Sequence, residues 1–144
     1  MIHGPNMPLL GKVSVSTGSR LTLDKINTAL KRKAIELEIN LKIHQFYDEA
    51  RIVKTVSRNR NKVNGLLVSL GTFSNGCYSL RELLRIIKIP TVEIYLKEFP
   101  LSTESFSNSL LKDVSIDRIL AFGKEAYLKG LDVLYGYITG PKYQ

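Results

Sequence analysis

The side chains that could carry out chemistry in this sequence are few, and their types exclude several kinds of active site. His3 and His44 are the two histidines, and no Cys, Asp or Glu joins them at the spacing of a metal site. The same scarcity leaves no Ser-His-Asp combination, and the glycines at 71 and 76 do not form a phosphate-binding P-loop. Glu93 and Tyr95 lie two residues apart, but a phenol with a pKa of about 10 is a poor acid at neutral pH. We interpret Tyr95 as an aromatic that fills the core or a pocket.

These side chains must be positioned by regular elements, and hydrophobic periodicity predicts the elements. Apolar residues recur every three or four positions in four segments, as amphipathic helices require. We predict helices over about residues 22–37, around 52–56 with a basic end at 58–62, around 80–87 before Pro90, and over about 123–137.

Three other segments are typical of strands. Residues 39–43 alternate apolar and polar side chains, 65–71 form a short apolar run between glycines, and 91–96 follow Pro90. The stretch 97–117 is polar and has no strong periodicity, so no element is predicted there. Alternating strands and helices indicate an α/β fold with an open, mostly parallel sheet. In such sheets ligands bind beyond the carboxyl ends of the strands, so we expect the chemistry in the loops near residues 3, 43–47, 69–70 and 95–96.

Size and composition predict one domain over residues 1–144. With 44% apolar residues the chain can bury a core, and it has no apolar run of 18 residues and no signal peptide. We therefore expect no membrane association and a cytoplasmic or organellar interior. The single Cys77 excludes an intrachain disulfide and is interpreted as a small buried hydrophobe. The net charge of +8 would attract anions or nucleic acid, but the basic clusters at 31–33 and 58–62 are predicted to be solvated outer faces.

A series of motifs resembles the type II 3-dehydroquinate dehydratase (dehydroquinase) family over about residues 2–134. The matching positions are Gly4-Pro5-Asn6, Leu9-Leu10-Gly11, Thr22-Leu23, Gln45, Glu49, Gly71, Glu93 and Ala121-Phe122-Gly123. The resemblance implies a flavodoxin-like open parallel sheet with helices on both faces, and a first strand that is truncated relative to the family. Met1 to His3 could pair as a short strand, a partner could supply the strand, or the natural protein could start further upstream.

Members of that family remove water from 3-dehydroquinate through an enolate, without metal or organic cofactor. Their base is a tyrosine on a lid, activated by an arginine, and the resemblance places Gly18 and Val13 at these two positions. Their general acid is a histidine, which Tyr95 replaces here. Since loss of one positioned acid or base costs about 10²–10⁴ in rate, the resemblance implies a catalytically degenerate member.

The remaining family positions form what the resemblance identifies as a vestigial site. Its catalytic remnants are Asn6, which in the family positions a water that stabilises the enolate, with Glu93 and Tyr95. Its pocket residues are Ser69, Asn75, Leu96, Lys97 and Ser107, of which Lys97 adds a cation that could bind a small anion. Simpler roles are a loop-stabilising Asn6 and a buried, hydrogen-bonded Glu93.

Three functions remain open from the sequence. The leading hypothesis is a pseudoenzyme that serves as a structural or interaction subunit, with a family-like homo-oligomer (trimer or dodecamer) or a larger complex. The alternatives are an active 3-dehydroquinate dehydratase with relocated catalytic groups, and a basic nucleic-acid or ribonucleoprotein-associated module. For the last, only weak, non-specific nucleic-acid binding is expected, because the aromatics are not interleaved with basic residues.

Overall fold

A five-stranded parallel sheet forms the centre of the computed structural model, which describes residues 1–141. The strand order is β2-β1-β3-β4-β5, the order of flavodoxin-like folds. The strands are β1 (Ile2–His3), β2 (His44–Gln45), β3 (Leu66–Ser69), β4 (Thr91–Leu96) and β5 (Asp117–Ala121). The helices are α1 (Leu10–Val13), α2 (Leu23–Glu36), α3 (Glu49–Asn59), α4 (Tyr78–Ile87), α5 (Ser102–Ser107) and α6 (Glu125–Thr139). The predicted α/β class and flavodoxin-like sheet are thus confirmed.

Helices cover both faces of the sheet and divide the core in two. One half of the core lies between the sheet and helices α2 and α6, and it contains Ile26, Leu30, Ile94 and Leu131. The other half lies between the sheet and helices α3 and α4, where Ile52 and the thiol of Cys77 are buried. The polar faces of α2 and α3 point outwards, and most of the basic side chains at 31–33 and 58–62 are exposed. Among residues 1–141, no helix is long and apolar enough to cross a membrane.

Local sequence explains where the main helices begin and end. The Thr22 and Asp48 side chains accept hydrogen bonds from the N–H groups of Lys25 and Arg51, so they cap α2 and α3. Helix α4 ends at Ile87, and its C-cap residue Lys88, whose φ of 56° lies in the left-handed region, stands two residues before Pro90. The predicted boundaries therefore agree with the structure to within a few residues.

Two predictions about the strands are wrong. The predicted strand at 39–43 is irregular chain, because β1 pairs with β2 only at Ile2↔His44 and His3↔Gln45 and offers no partner further back. Ile39, Leu41 and Ile43 alternate because they pack against the core. No strand was predicted where β5 begins, at the end of the polar stretch 97–117, because an edge strand with exposed Asp117 and half-buried neighbours lacks a continuous apolar run. Helix α5 lies inside that stretch and was also not predicted.

The first strand is short but paired on both sides. Ile2 and His3 lie opposite Val68 and Ser69 of β3, and the Met1 amino group donates to the Lys42 carbonyl at 2.9 Å. Residues 1–3 thus form the short paired strand that was one of the three expected possibilities. Behind it, at the amino edge of the sheet, lies a groove of about 510 Å³ between residues 38–42 and 63–67.

Candidate functional site

A cleft of about 110 Å³ opens at the carboxyl edge of the sheet, where the topology places ligands. The loops after β1, β3 and β4 and the start of α5 form its walls. Its lining residues are Gly4, Pro5, Asn6, Met7, Ser69, Leu70, Gly71, Thr72, Ile94, Tyr95, Leu96, Phe99, Pro100, Leu101, Ser102 and Ser105. The lining is mostly apolar, with a few hydroxyl and amide groups that could orient a ligand.

The loop after β1 is held close to the loop after β3, and Gly4 makes that contact possible. The Gly4 N–H donates to the Ser69 carbonyl at 2.8 Å, and Gln45 Nε2 donates to the Gly4 carbonyl at 3.1 Å. A Cβ at Gly4 would lie 2.7 Å from the Leu70 carbonyl oxygen, so any side chain there would force the backbones apart. The loop presents Asn6, which is exposed and whose side chain does not cap the following turn.

On the α4 and α5 side of the sheet, Tyr95 belongs to a closed polar network around Glu93. Glu93 is 1% exposed; its Oε1 accepts from Tyr95 Oη at 2.6 Å and from Ser109 Oγ at 2.5 Å. Its Oε2 accepts from Arg118 Nε at 2.6 Å, and the Arg118 guanidinium also stacks 4.0 Å from the centroid of the Phe106 ring. Burial, followed by the Glu93 charge, raises the pKa of Tyr95 well above its ordinary value. Tyr95 is therefore a neutral phenol that can donate a hydrogen bond and cannot act as a base.

On the opposite face, a second phenol reaches the cleft through Ser69. Tyr127 Oη lies 2.6 Å from Ser69 Oγ, and Met7 Sδ lies 3.5 Å from Ser69 Oγ and 3.7 Å from Tyr127 Oη. Helix α6 can carry Tyr127 this close because Gly130, one turn further on, lies against Ile94, and a Cβ there would come within 2.7 Å of Ile94 Cδ1. Burial raises the pKa of the Tyr127 phenol, so this group too stays protonated.

Two further titratable side chains lie near Tyr127. His3 is fully buried, its Nε2 lies 2.8 Å from Asn27 Oδ1, and its ring centroid lies 5.8 Å from that of Tyr127. Burial lowers the pKa of His3 to about 4, so the ring is neutral, and its buried Nδ1 has no hydrogen-bond partner within residues 1–141. Glu98 Oε2 accepts a hydrogen bond from the Gly123 N–H at 2.9 Å. The buried Glu98 Oε1 has no hydrogen-bond partner among residues 1–141.

The structure brings together four of the residues assigned to the vestigial site. Asn6, Ser69, Tyr95 and Leu96 all line the cleft. Glu93 lies behind Tyr95 as a buried, hydrogen-bonded carboxylate at the strand end.

The other assigned residues lie outside the lining. Asn75 Nδ2 donates a hydrogen bond to the Ser105 carbonyl at 3.0 Å. Lys97 is exposed, and its Nζ lies 5.8 Å from the centroid of the Phe122 ring. Ser107 is the exposed last residue of α5. Of the two lid positions, Val13 ends α1 and Gly18 adopts φ 100° after a short turn.

Sequence reasoning missed the residues that connect the cleft to the core. Tyr127 looks like one more apolar position of the last helix, Ser109 lies in the stretch 97–117 without periodicity, and Arg118 directly follows it. Met7 and Thr72 also line the cleft and were not singled out. No local signal marks such residues, because their partners are 16 to 120 positions away along the chain.

Within residues 1–141, no three His, Cys, Asp or Glu side chains lie together in an arrangement that could hold a metal ion. The polar groups in the lining of the cleft are hydroxyl, amide and backbone groups. Such groups donate hydrogen bonds to an oxygen-rich ligand, and they can stabilise negative charge that develops on it.

Known proteins resemble this chain along nearly its full length. The family model for class II dehydroquinases matches residues 1–135. A 3-dehydroquinate dehydratase from Trichodesmium erythraeum is 30% identical over 138 residues, which are 96% of this chain and 92% of that protein. One from Geotalea daltonii is 28% identical over 138 residues, which are 96% of each.

Solved structures show the same fold. A type II dehydroquinase from Butyrivibrio crossotus superposes with a TM-score of 0.81 at 18% identity, covering 92% of this chain and 93% of that one. A 3-dehydroquinate dehydratase-like protein from Bifidobacterium longum gives 0.68 at 17% identity, covering 96% and 95%.

The relatives overturn one expectation. A pseudoenzyme serving as a structural or interaction subunit was the leading hypothesis from the sequence, and it is wrong on this comparison, because the relatives that match nearly the whole chain are named as the dehydratase. That hypothesis rested on Val13, Gly18 and Tyr95, which the resemblance aligns with the family's catalytic side chains, and it equated the loss of those side chains with the loss of activity. With the class II dehydroquinase model matching residues 1–135, the chain belongs to this family.

Proposed function

We propose that this protein is a lyase that eliminates water from 3-dehydroquinate, with catalytic groups that differ from the usual ones. The observation that carries the proposal is the family match over residues 1–135, together with a cleft at the carboxyl edge that retains the Gly4-Pro5-Asn6 loop. The names of the relatives supply the substrate.

The elimination makes three demands on the site. A base removes a proton from the carbon next to the ketone, donors stabilise the enolate oxygen, and an acid protonates the departing hydroxyl so that it leaves as water. Val13, Gly18 and Tyr95 stand where the family has its arginine, tyrosine and histidine, so the base and the acid must come from other groups.

Tyr95 is the acid that we propose. It lines the cleft and is protonated, because burial raises the pKa of its phenol. A phenol is a weaker acid than imidazolium, yet it is a stronger acid than the water that leaves, whose pKa is about 15.7. Arg118 and Ser109 hydrogen-bond the Glu93 carboxylate independently of Tyr95, so the phenol can turn to a ligand without leaving that charge unpaired.

Glu98 is the base that we propose. It is not itself a lining residue, but it directly precedes the cleft residue Phe99, and its charge contributes to the raised pKa of Tyr127. The Gly123 N–H holds one carboxylate oxygen at 2.9 Å, while Oε1 has no partner within residues 1–141 and can accept a proton. A carboxylate fixed through one oxygen and free at the other is suited to proton removal.

Turnover of 3-dehydroquinate by the purified protein tests the proposal, with the ultraviolet absorbance of the conjugated enone product as the signal. We expect measurable turnover, lowered about 10²–10⁴-fold by Glu98→Gln and by Tyr95→Phe. Glu104→Gln is the matched control for the first variant, because Glu104 is an exposed carboxylate of α5 outside the cleft lining. A folded wild-type protein without turnover would overturn the proposed function; full activity in either variant would overturn only that residue's role.

We also propose a family-like homo-oligomer, a trimer or a dodecamer, on the strength of the family membership alone. Sedimentation or light scattering of the full chain tests it. A monomer at micromolar concentration would contradict this proposal and leave the proposed reaction unaffected.

A further inference from the structure

The hydrogen-bond partners of Ser69 are unusual for a hydroxyl that is 3% exposed. Ser69 Oγ lies 2.6 Å from Tyr127 Oη and 3.5 Å from Met7 Sδ. A thioether sulfur is a weak acceptor compared with an oxygen. The Ser69 hydroxyl therefore lies between one strong hydroxyl partner and one weak acceptor.

Tyr127 has the same two partners, since its Oη lies 2.6 Å from Ser69 Oγ and 3.7 Å from Met7 Sδ. The two hydroxyls carry two hydrogens, and only one of these can occupy the bond between them. The other hydrogen points to the Met7 sulfur, whichever hydroxyl donates to the other. The pair thus holds one hydrogen on a poor acceptor and can give it to a better one.

Only one arrangement can deliver that hydrogen to a ligand. Ser69 and Met7 line the cleft, whereas Tyr127 is fully buried behind them and absent from the lining. Of the two hydroxyls, only Ser69 can therefore reach a ligand oxygen in the cleft, with Tyr127 donating to Ser69 Oγ. Hydrogen bonds in a chain polarise one another, and a low-dielectric surrounding strengthens the effect, so Tyr127 makes Ser69 a stronger donor.

We propose that Ser69 donates a hydrogen bond to the substrate oxygen that becomes the enolate, and that Tyr127 is the positioning residue that orients and polarises the Ser69 hydroxyl. This inference rests on the proposed function. Ser69 is fixed at the end of β3, and Tyr127 is fixed on α6 by the close contact of Gly130 with Ile94, so the donor is in place before the ligand arrives. Such preorganised donors act where charge develops in the transition state.

Four variants of the full-length chain test the pair by steady-state turnover of 3-dehydroquinate. We expect Ser69→Ala to lower kcat about 10²–10³-fold, which is the usual cost of one oxyanion donor, with a much smaller change in KM. Tyr127→Phe removes one oxygen and keeps the ring, and we expect a fall in kcat of about 10-fold. The double variant should be no slower than Ser69→Ala, because Tyr127 acts through Ser69. Ser69→Thr keeps the hydroxyl and should retain most of the rate.

Tyr135→Phe is the matched control. It removes a phenolic oxygen from the same helix, at the groove on the opposite edge of the sheet, and should leave kcat unchanged. Thermal unfolding of each variant shows whether it is folded at the assay temperature. Equal kcat values for wild type, Tyr127→Phe and Tyr135→Phe would overturn the inference, as would a double variant in which the two losses multiply.

A second measurement separates failure of this inference from failure of the proposed function. If wild-type protein does not turn over 3-dehydroquinate, the proposed function fails, and calorimetric binding of 3-dehydroquinate then tests the pair. Weaker binding by Ser69→Ala and by Tyr127→Phe than by Tyr135→Phe would keep the pair as ligand donors. Equal binding by all, or no binding by wild type, would overturn it.

Discussion

Two tyrosines reach the cleft region from opposite faces of the sheet, and they differ in the strength of their hydrogen-bond partners. Tyr95 donates to a buried carboxylate that Arg118 and Ser109 also hold, so nearly every group in that network has a strong partner. Tyr127 contacts the Ser69 hydroxyl and the Met7 thioether, so one hydroxyl hydrogen of this pair has only the weak sulfur acceptor. The network of Glu93, Tyr95, Ser109 and Arg118 should therefore contribute more to stability than the pair of Tyr127 and Ser69. Tyr95 can still turn to a ligand, because Ser109 and Arg118 keep the Glu93 carboxylate paired.

The largest effect should come from breaking the ion pair between Arg118 and Glu93 in the network around Glu93. Arg118→Ala leaves the Glu93 carboxylate buried without its cation, and we expect a loss of about 3–5 kcal/mol in the free energy of unfolding. Urea denaturation measures this loss.

The control for that variant is Arg81→Ala, which removes an arginine from an ion pair with Asp113 at the surface. Water replaces such a partner easily, so we expect a far smaller loss. Similar losses in the two variants would show that the Glu93 network contributes no special stability.

Lowering the pH should reduce the free energy of unfolding through His3, which lies on the same side of the sheet as Tyr127. Burial lowers the pKa of His3 from 6.5 to about 4 in the folded protein, so the unfolded chain binds a proton more readily. The contribution of His3 to stability is complete above pH 6.5 and is lost as the pH falls from 6.5 towards 4, by about 3 kcal/mol in total.

Urea midpoints measured across that pH range, in wild type and in His3→Gln, isolate this contribution. The buried amino group of Met1 also has a lowered pKa, about 5, but both proteins share it. Parallel pH profiles for the two proteins would contradict the assignment to His3.

Removing the two phenolic oxygens in turn compares the networks directly. Tyr95→Phe removes a hydrogen bond to a charged group and should cost about 1.5–3 kcal/mol. Tyr127→Phe removes a bond to a neutral hydroxyl and should cost about 0.5–1.5 kcal/mol. Chemical denaturation of the two variants gives both values, and the reverse order would contradict the distinction between the networks.

The smallest effect concerns Cys77, which contacts the network around Glu93 through Ser74. Its Sγ lies 3.6 Å from the Ser74 carbonyl, and burial raises the pKa of the thiol to about 12. We expect very slow alkylation by iodoacetamide in the native protein and faster alkylation in Tyr95→Phe, because Tyr95 Oη lies 2.8 Å from Ser74 Oγ. Mass spectrometry follows the reaction, with Tyr127→Phe as the comparison.

Much of the fold was predictable because periodicity is a local property. The 3.6-residue spacing in α2, α3 and α4 and the apolar runs of β3 and β4 report which faces are buried, and Pro90 and Thr22 mark element ends. The irregular chain at 39–43 and the edge strand β5 were not predictable in this way, because a strand exists only where a neighbour pairs with it.

The sequence was sufficient to predict the α/β class, most of the helices and the loops at which a ligand would bind, since these follow from hydrophobic patterning and the rules of parallel sheets. It also carried the family resemblance through motifs such as Gly4-Pro5-Asn6, whose glycine is required where two loops touch. Three properties required the folded structure: which hydroxyls share a hydrogen bond, which carboxylate is neutralised and which histidine is buried. Those properties depend on contacts such as Met7 with Tyr127 and Glu93 with Arg118, and residues so far apart along the chain leave no local pattern.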